Sequence, residues 1–231
     1  ENDLLVAGPH VFIYGEGSSL AFHDITVRDG ATLIVGGGST VSAGGTVMVT
    51  GSSSIILKGK NTSAQVGDQW VGQGVTVSAA TVQVDAGSAI SADAQGYTGG
   101  ATGAAGNGPG GGCGSAMYDS AGGSYGGLGY SSPSCSAGPI YGSALTPTDL
   151  GSGGGGTTTC AGGVCPADRV GGNGGGAIRL IVTGTLTLNG TISANGGNGG
   201  LDSQASLDSY AVGGSGGSIW ACSHHRIGGN A

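Results

Sequence analysis

The chain has little charge, few aromatic side chains and no long apolar run. Of its 231 residues 8% are charged and 5% are aromatic, and the net charge is −7. A nucleic-acid surface needs clustered Lys and Arg to displace counterions. The six basic residues are instead scattered, so we do not expect nucleic-acid binding: Arg28, Lys58, Lys60, Arg169, Arg179 and Arg226. No apolar stretch approaches the ~20 residues of a membrane-spanning helix, and we predict no such segment.

Helical periodicity is also missing. Glycine, which is poor in helix interiors, supplies 56 residues, while Val, Ile and Leu recur at alternate positions between turn residues. Examples are Leu33/Val35 and Val47/Val49, with Gly44-Gly45 before the second pair. These patterns predict an all-β fold with strands about eight residues apart. The fold class we expect is a β-solenoid or β-helix-like stack of short strands with long glycine-rich loop insertions. The alternative is a β-sandwich or jelly roll.

One phrase occurs twice and indicates the organisation of the chain. Residues 88–93 read Ser-Ala-Ile-Ser-Ala-Asp, and residues 190–195 read Gly-Thr-Ile-Ser-Ala-Asn. Each copy opens into a run dominated by glycine. We therefore predict an N-terminal strand segment, 1–17, followed by a single glycine-rich β domain, 18–231. Loop excursions should leave this domain at about 96–176 and 196–214.

Five cysteines point to an oxidising, extracellular setting, because disulfides would order a segment that buries little apolar surface. Two pairs are favoured by their positions, Cys113 with Cys135 and Cys160 with Cys165. Cys222 is then unpaired, as a free thiol or an intermolecular bridge.

The aromatic residues are candidates for recognition. Tyrosine set among Gly and Ser is typical of adaptable binding loops, although the same rings could simply anchor the loop to the sheet. Trp70 could stack on a sugar or cover the core. The candidate recognition residues are Trp70, Tyr97, Tyr118, Tyr125, Tyr130 and Tyr141.

The N-terminal segment is apolar and interrupted by Pro9, which suits an edge strand. Unpaired strands at the ends of a sheet invite pairing with another chain, so we expect a homo-oligomer or polymer in which this segment adds as a strand to a neighbouring subunit. The residues of this candidate assembly strand are Leu4, Leu5, Val6, Val11, Phe12, Ile13 and Tyr14.

Four glycine-rich phrases, at 150–156, 174–180, 190–197 and 213–220, complete the pattern. In this order they resemble glycine-rich repeat regions of large bacterial cell-surface proteins of the adhesin-like class. The resemblance covers roughly residues 20 to 220. It implies an extracellular or cell-surface structural and adhesive scaffold, such as a filament subunit or an adhesin repeat region, and it implies no catalytic residues.

We therefore expect a non-enzymatic protein with no cofactor. One alternative is a carbohydrate-binding module that uses the Tyr and Trp loops. A second is a polysaccharide lyase or hydrolase, for which the candidate carboxylates are Asp24, Asp29, Asp85 and Asp93.

Metal and modification sites have weaker signals. The run 196–202 departs from the calcium-binding glycine repeat because Leu201 replaces the required Asp. Calcium held by scattered loop oxygens is left open, and His224-His225 could also ligate a metal. Asn61 and Asn189 begin glycosylation sequons.

Overall fold

The computed structural model describes residues 2–115, 119–158, 169–200, 212–223 and 226–228. Among these residues, no helix is long and apolar enough to cross a membrane. Five residues with sequence-based predictions lie outside the described residues: Tyr118, Cys160, Cys165, His224 and His225.

The described residues form thirteen strands. In chain order they are β1 (Leu4–Ala7), β2 (Val11–Tyr14), β3 (Ser19–Phe22), β4 (Ile25–Arg28), β5 (Thr32–Val35), β6 (Thr40–Val49), β7 (Ser54–Leu57), β8 (Val75–Val84), β9 (Ala89–Ser91), β10 (Ala177–Leu188), β11 (Thr191–Ser193), β12 (Ser218–Ser223) and β13 (Arg226–Gly228).

These strands make two sheets. The larger has eight strands in the order β1-β4-β6-β8-β10-β12, with β3 also paired to β6 and β13 to β10. The smaller has five, in the order β11-β9-β7-β5-β2. Every pair between named strands is parallel. The chain therefore passes repeatedly from one sheet to the other.

The structure is all-β, but the predicted fold class of a β-solenoid-like stack of short strands is wrong. The findings are two parallel sheets in which β6, β8 and β10 run for 10, 10 and 12 residues. Gly44-Gly45, which the sequence marks as a break, lies inside β6, where the ladder shifts between Ala43 and Thr46. The alternative sandwich is also wrong, because it requires antiparallel hairpins.

The hydrophobic core lies where the inward-facing columns of the two sheets meet. In the larger sheet one column runs Val6, Val27, Val49 and Val84, and each of these side chains is fully buried. In the smaller sheet one core column is Leu33, Ile55, Ile90 and Ile192. Side chains alternate between the two faces of a strand, so apolar columns at alternate positions give each sheet one buried face.

The doubled phrase is stacked on itself. β11 pairs with β9 so that Ile192 lies beside Ile90 and Ser193 beside Ser91. Ile90 is 1% exposed, and Ile192 packs partly buried against the same core. The two copies are therefore consecutive steps of the smaller sheet.

The glycine-rich segments form a second ordered layer, which we call the glycine-rich layer (the described residues of 96–176 and 196–217). Its centre is residues 150–157, all of which are buried. The N–H groups of Gly151 and Gly154 donate to the carbonyls of Gly175 and Gly172, at 2.8 and 2.9 Å. Those of Gly153 and Gly156 donate instead to residues 107 and 104, both at 2.9 Å.

These bonds repeat every three residues. The acceptors step back by three on each neighbouring segment, from 175 to 172 and from 107 to 104. A polyproline II helix has three residues per turn and makes no internal hydrogen bonds, so its backbone groups are free to bond outward in three directions. The central segment has this bonding pattern, and the bonds link the neighbouring segments into one layer.

The layer also requires very close approach of backbones. A Cβ atom on Gly154 would lie 2.3 Å from the Val212 carbonyl oxygen, far inside van der Waals contact. One disulfide crosses the layer between Cys113 and Cys135, with an S–S distance of 2.08 Å. This is one of the two pairings that the sequence favoured.

We predict that Gly154→Ala destabilises the fold by about 1–3 kcal/mol, because the added methyl group overpacks a close-packed interior. Gly127→Ala is the matched control, since a Cβ at Gly127 meets nothing within 4 Å. Its effect should stay within about 0.5 kcal/mol. Urea unfolding of both variants measures the difference, and equal stabilities would contradict close backbone packing around Gly154.

Candidate functional site

The first candidate site is the end of the molecule where the edge strand of each sheet comes from the N-terminal part of the chain. β1 closes the larger sheet and β2 closes the smaller one, each bonded on one side within the described residues. Three side chains of β2 are largely exposed: Val11 by 60%, Phe12 by 44% and Ile13 by 71%. On β1, Leu5 is 54% exposed, whereas Val6 is fully buried. We call this surface, with β3, the N-terminal edge.

The inward side chains of the N-terminal edge are the first members of the core columns. Leu4, Tyr14, Leu20 and Phe22 pack against the core but are only partly buried. The rings of Tyr14 and Phe22 lie 6.4 Å apart between centroids. The edge therefore combines open backbone groups with an accessible cross-section of the apolar core.

The opposite end of the sheets carries β11, β12 and β13. Ile192 ends the column that begins at Phe12 and passes through Leu33, Ile55 and Ile90. Cys222 of β12 is a free, exposed cysteine.

A second candidate site is an open cleft of about 380 Å³ between the larger sheet and the glycine-rich layer. Its polar lining includes Gln73, Asp149 and Arg179, with Thr40 and Thr76 beside them. A carboxylate, a guanidinium and an amide in one cleft can together bind the hydroxyl groups of a polar ligand. We call it the Arg179 cleft.

Sequence reasoning missed this cleft, although one signal was available. Arg179 interrupts an apolar run, Ala177–Val182, and so had to lie on the outward face of β10. Its guanidinium carbon stacks 4.6 Å from the ring centroid of Trp220, the neighbouring residue on β12. Asp149 and Gln73 come from distant parts of the chain, and no local pattern connects them.

The aromatic residues predicted for recognition are mostly anchored. Tyr97 is 3% exposed, its hydroxyl accepts the Gly72 N–H at 2.9 Å, and its ring meets Trp70 edge-on at 5.2 Å. Tyr141 packs edge-on against Tyr125 at 5.1 Å and donates its hydroxyl proton to the Leu150 carbonyl. Burial raises the pKa of the Tyr97 and Tyr141 hydroxyls, which keeps both neutral.

Among the described tyrosines of this set, Tyr130 presents the most surface, with 64% of the residue exposed. Trp70 is half-buried against Tyr97 and Leu150. Tyr97 and Tyr141 therefore do the anchoring that the sequence analysis left open as the alternative.

Three of the four candidate carboxylate residues have a local structural role. Asp24 accepts the Thr46 N–H at 2.6 Å. Asp29 has a left-handed backbone, with φ of 61°, in a turn. Hydrogen bonds from Thr50 and Gln83 lower the pKa of Asp85. Each of these three aspartates stabilises a turn or a strand irregularity, and this local role explains its presence without a catalytic function.

Asp93 joins the two copies of the doubled phrase. Its carboxylate accepts the Asn195 N–H at 2.6 Å and the Ser193 hydroxyl at 2.8 Å. Burial alone would raise the pKa of Asp93, but hydrogen bonds from Asn195, Ser193 and Ser91 outweigh it and lower the pKa. The ionised side chain is therefore a structural link between β9 and β11.

Three further groups come together beside the N-terminal edge. Asp3, His23 and Asp24 each offer a potential metal-ligand atom, and these atoms lie within 4.8 Å of one another. The same groups already bond to the protein. His23 Nδ1 lies 3.1 Å from Asp24 Oδ2, and Asp3 Oδ1 accepts the Asp24 N–H at 3.1 Å.

The two sequon asparagines occupy different environments. Asn61 is half-buried, has a left-handed backbone with φ of 54°, and donates its side-chain amide to the Val71 carbonyl at 3.4 Å. Asn189 is exposed in the turn between β10 and β11. Asn189 is thus the more accessible of the two.

Comparison with protein families, curated proteins and solved structures finds no match for this chain.

We predict that Asp93→Asn lowers stability at pH 7, because the neutral amide is a weaker acceptor for the Asn195 and Ser193 donors. The folded-state pKa of Asp93 is lowered, so its carboxylate stabilises the fold above the unfolded value of about 3.9. This contribution is lost as the pH falls through the folded pKa. The stability gap between wild type and variant should therefore shrink in acid. Thermal unfolding from pH 7 to pH 2 measures it, and a gap independent of pH would refute the role of the charge.

Proposed function

We propose that this protein is a non-enzymatic extracellular structural subunit that associates with further copies of itself through its N-terminal edge. The observation that carries the proposal is that both parallel sheets end together there. Exposed apolar side chains, Val11 and Ile13 above all, accompany the open strand.

Physical reasoning supports association at this edge. An exposed strand offers a row of unpaired N–H and C=O groups, and proteins that remain monomeric usually blunt such edges with charge, proline or a bulge. β1 and β2 contain no charged residue. Pro9 lies between the two strands, where it leaves their own N–H groups intact.

The extracellular setting is supported by two features. Cys113 and Cys135 are disulfide-bonded, and structural disulfides persist in oxidising compartments. One of the glycine-rich phrases that resemble those of bacterial surface proteins, 150–156, is the buried, hydrogen-bonded centre of the glycine-rich layer. A scaffold role uses this layer without needing any catalytic group.

We predict that Ile13→Lys weakens self-association by about tenfold or more, because a lysine at the pairing edge must be desolvated when a second chain docks. Leu145→Lys is the matched control, since Leu145 is 89% exposed and lies in the segment before Leu150. Light scattering and sedimentation across a concentration series measure association. A wild-type protein that stays monomeric throughout would overturn the proposed function.

The second candidate function is carbohydrate binding, and the Arg179 cleft is the observation that favours it. The cleft is concave, and its donors and acceptors come from both the larger sheet and the glycine-rich layer. Sugar hydroxyls pair well with carboxylate and guanidinium groups. Surface-bound glycan would be compatible with a scaffold role.

We predict that Arg179→Ala reduces binding of any glycan found on an array by about tenfold or more, the value of one hydrogen bond to a charged group. Asp149→Asn should have a similar effect, and Arg28→Ala, an exposed arginine outside the cleft, should have none. Titration calorimetry measures the affinities. A silent array, or affinities unchanged in both cleft variants, would reject this second function.

A further inference from the structure

The two ends of the sheets have the same polarity and complementary side chains. In the smaller sheet the first N–H of each strand donates to a carbonyl just before the preceding strand. Thr32 donates to His10, Ser54 to Ala31, Ala89 to Ser53 and Thr191 to Ser88. One more step of this kind would place the Val11 N–H of a second copy against the Gly190 carbonyl.

The inward columns would continue across the same junction. Phe12 begins the column that passes through Leu33, Ile55 and Ile90 and ends at Ile192. Phe12 is 44% exposed, whereas Leu33, one step inside, is 2% exposed. A second copy stacked in register would set its Phe12 on Ile192 and bury a ring that is otherwise open to water.

From these two observations we propose that the partner of the N-terminal edge is the opposite end of a second copy, with β2 on β11 and β3 on β12, joined head to tail with the strands parallel and the columns in register. This rests on the proposed function and specifies its geometry. In this register β1 of the second copy takes the position beside residues 185–187 of β10 that β13 holds within one copy, so the junction exchanges β13 for β1. An interface between two different surfaces of one molecule leaves a free surface at each end, so it generates an open filament and not a closed dimer.

The larger sheet fixes the register of the junction. Its outward column runs Ala21, Ser42, Ser78, Ile181 and Cys222, from β3 to β12. Ala21 and Cys222 are both exposed. In the head-to-tail arrangement Ala21 of one copy lies beside Cys222 of the next, at the strand spacing of about 4.8 Å. That separation lies within the Cα–Cα range of about 4.4–6.8 Å that a disulfide can bridge.

The test is therefore a cysteine at position 21 of the full chain. After mild oxidation, Ala21→Cys should give a ladder of covalent dimers, trimers and larger species on a non-reducing gel. Ser19→Cys is the matched control, because Ser19 is exposed on the same face but lies in the neighbouring column. Its separation from Cys222 would be about 8 Å, too far to bridge. The double variant Ala21→Cys with Cys222→Ser should give no ladder.

Each other outcome has a distinct meaning. Covalent dimers that persist in the double variant would show two N-terminal edges paired with each other, and would overturn the head-to-tail junction. A ladder of equal strength from Ser19→Cys would overturn the register. Association by light scattering without any ladder would overturn the geometry while leaving self-association standing. A protein that does not associate at all would overturn the proposed function itself.

Discussion

The N–H groups of residues 151–156 find their acceptors on several different neighbours, and the glycine-rich layer depends on that lateral bonding. The bonds are possible only where backbones approach without intervening side chains, as at Gly154. The parallel sheets are also joined by hydrogen bonds between neighbouring backbones, but their residues carry side chains. Apolar columns such as Val27–Val49–Val84 are buried there and form the hydrophobic core. The molecule thus combines a hydrophobic core of packed side chains in the sheets with a glycine-rich layer held by backbone hydrogen bonds.

This combination explains how so much glycine can be ordered. Glycine loses more conformational freedom on folding than other residues and offers no apolar side chain in return. Here the loss is offset by satisfied backbone groups throughout a buried segment and by the cross-link between Cys113 and Cys135. The tyrosines contribute as anchors, with Tyr97 and Tyr141 placing their hydroxyls on main-chain groups of Gly72 and Leu150.

The all-β character followed from the alternation of Val, Ile and Leu, because that period is local and each strand displays it. The sheet arrangement did not follow, since alternation is the same in parallel and antiparallel strands. Gly44-Gly45 looked like a turn yet is an irregularity within β6. The Cys113–Cys135 pairing followed from its position in the chain. The Arg179 cleft did not, because only the fold brings Asp149, Gln73 and Arg179 to the lining of one cleft.

The three-residue repeat of the central segment has a consequence for how such a chain can vary in length. The N–H groups of residues 151 and 154 donate to one neighbouring segment, and those of 153 and 156 donate to another. Inserting or deleting a single residue would rotate every later N–H by a third of a turn, toward the wrong acceptor. Three residues added together would restore every direction and lengthen the segment by about 9 Å. The central segment can therefore change in length only by multiples of three residues if its hydrogen bonds to both neighbours are to be kept.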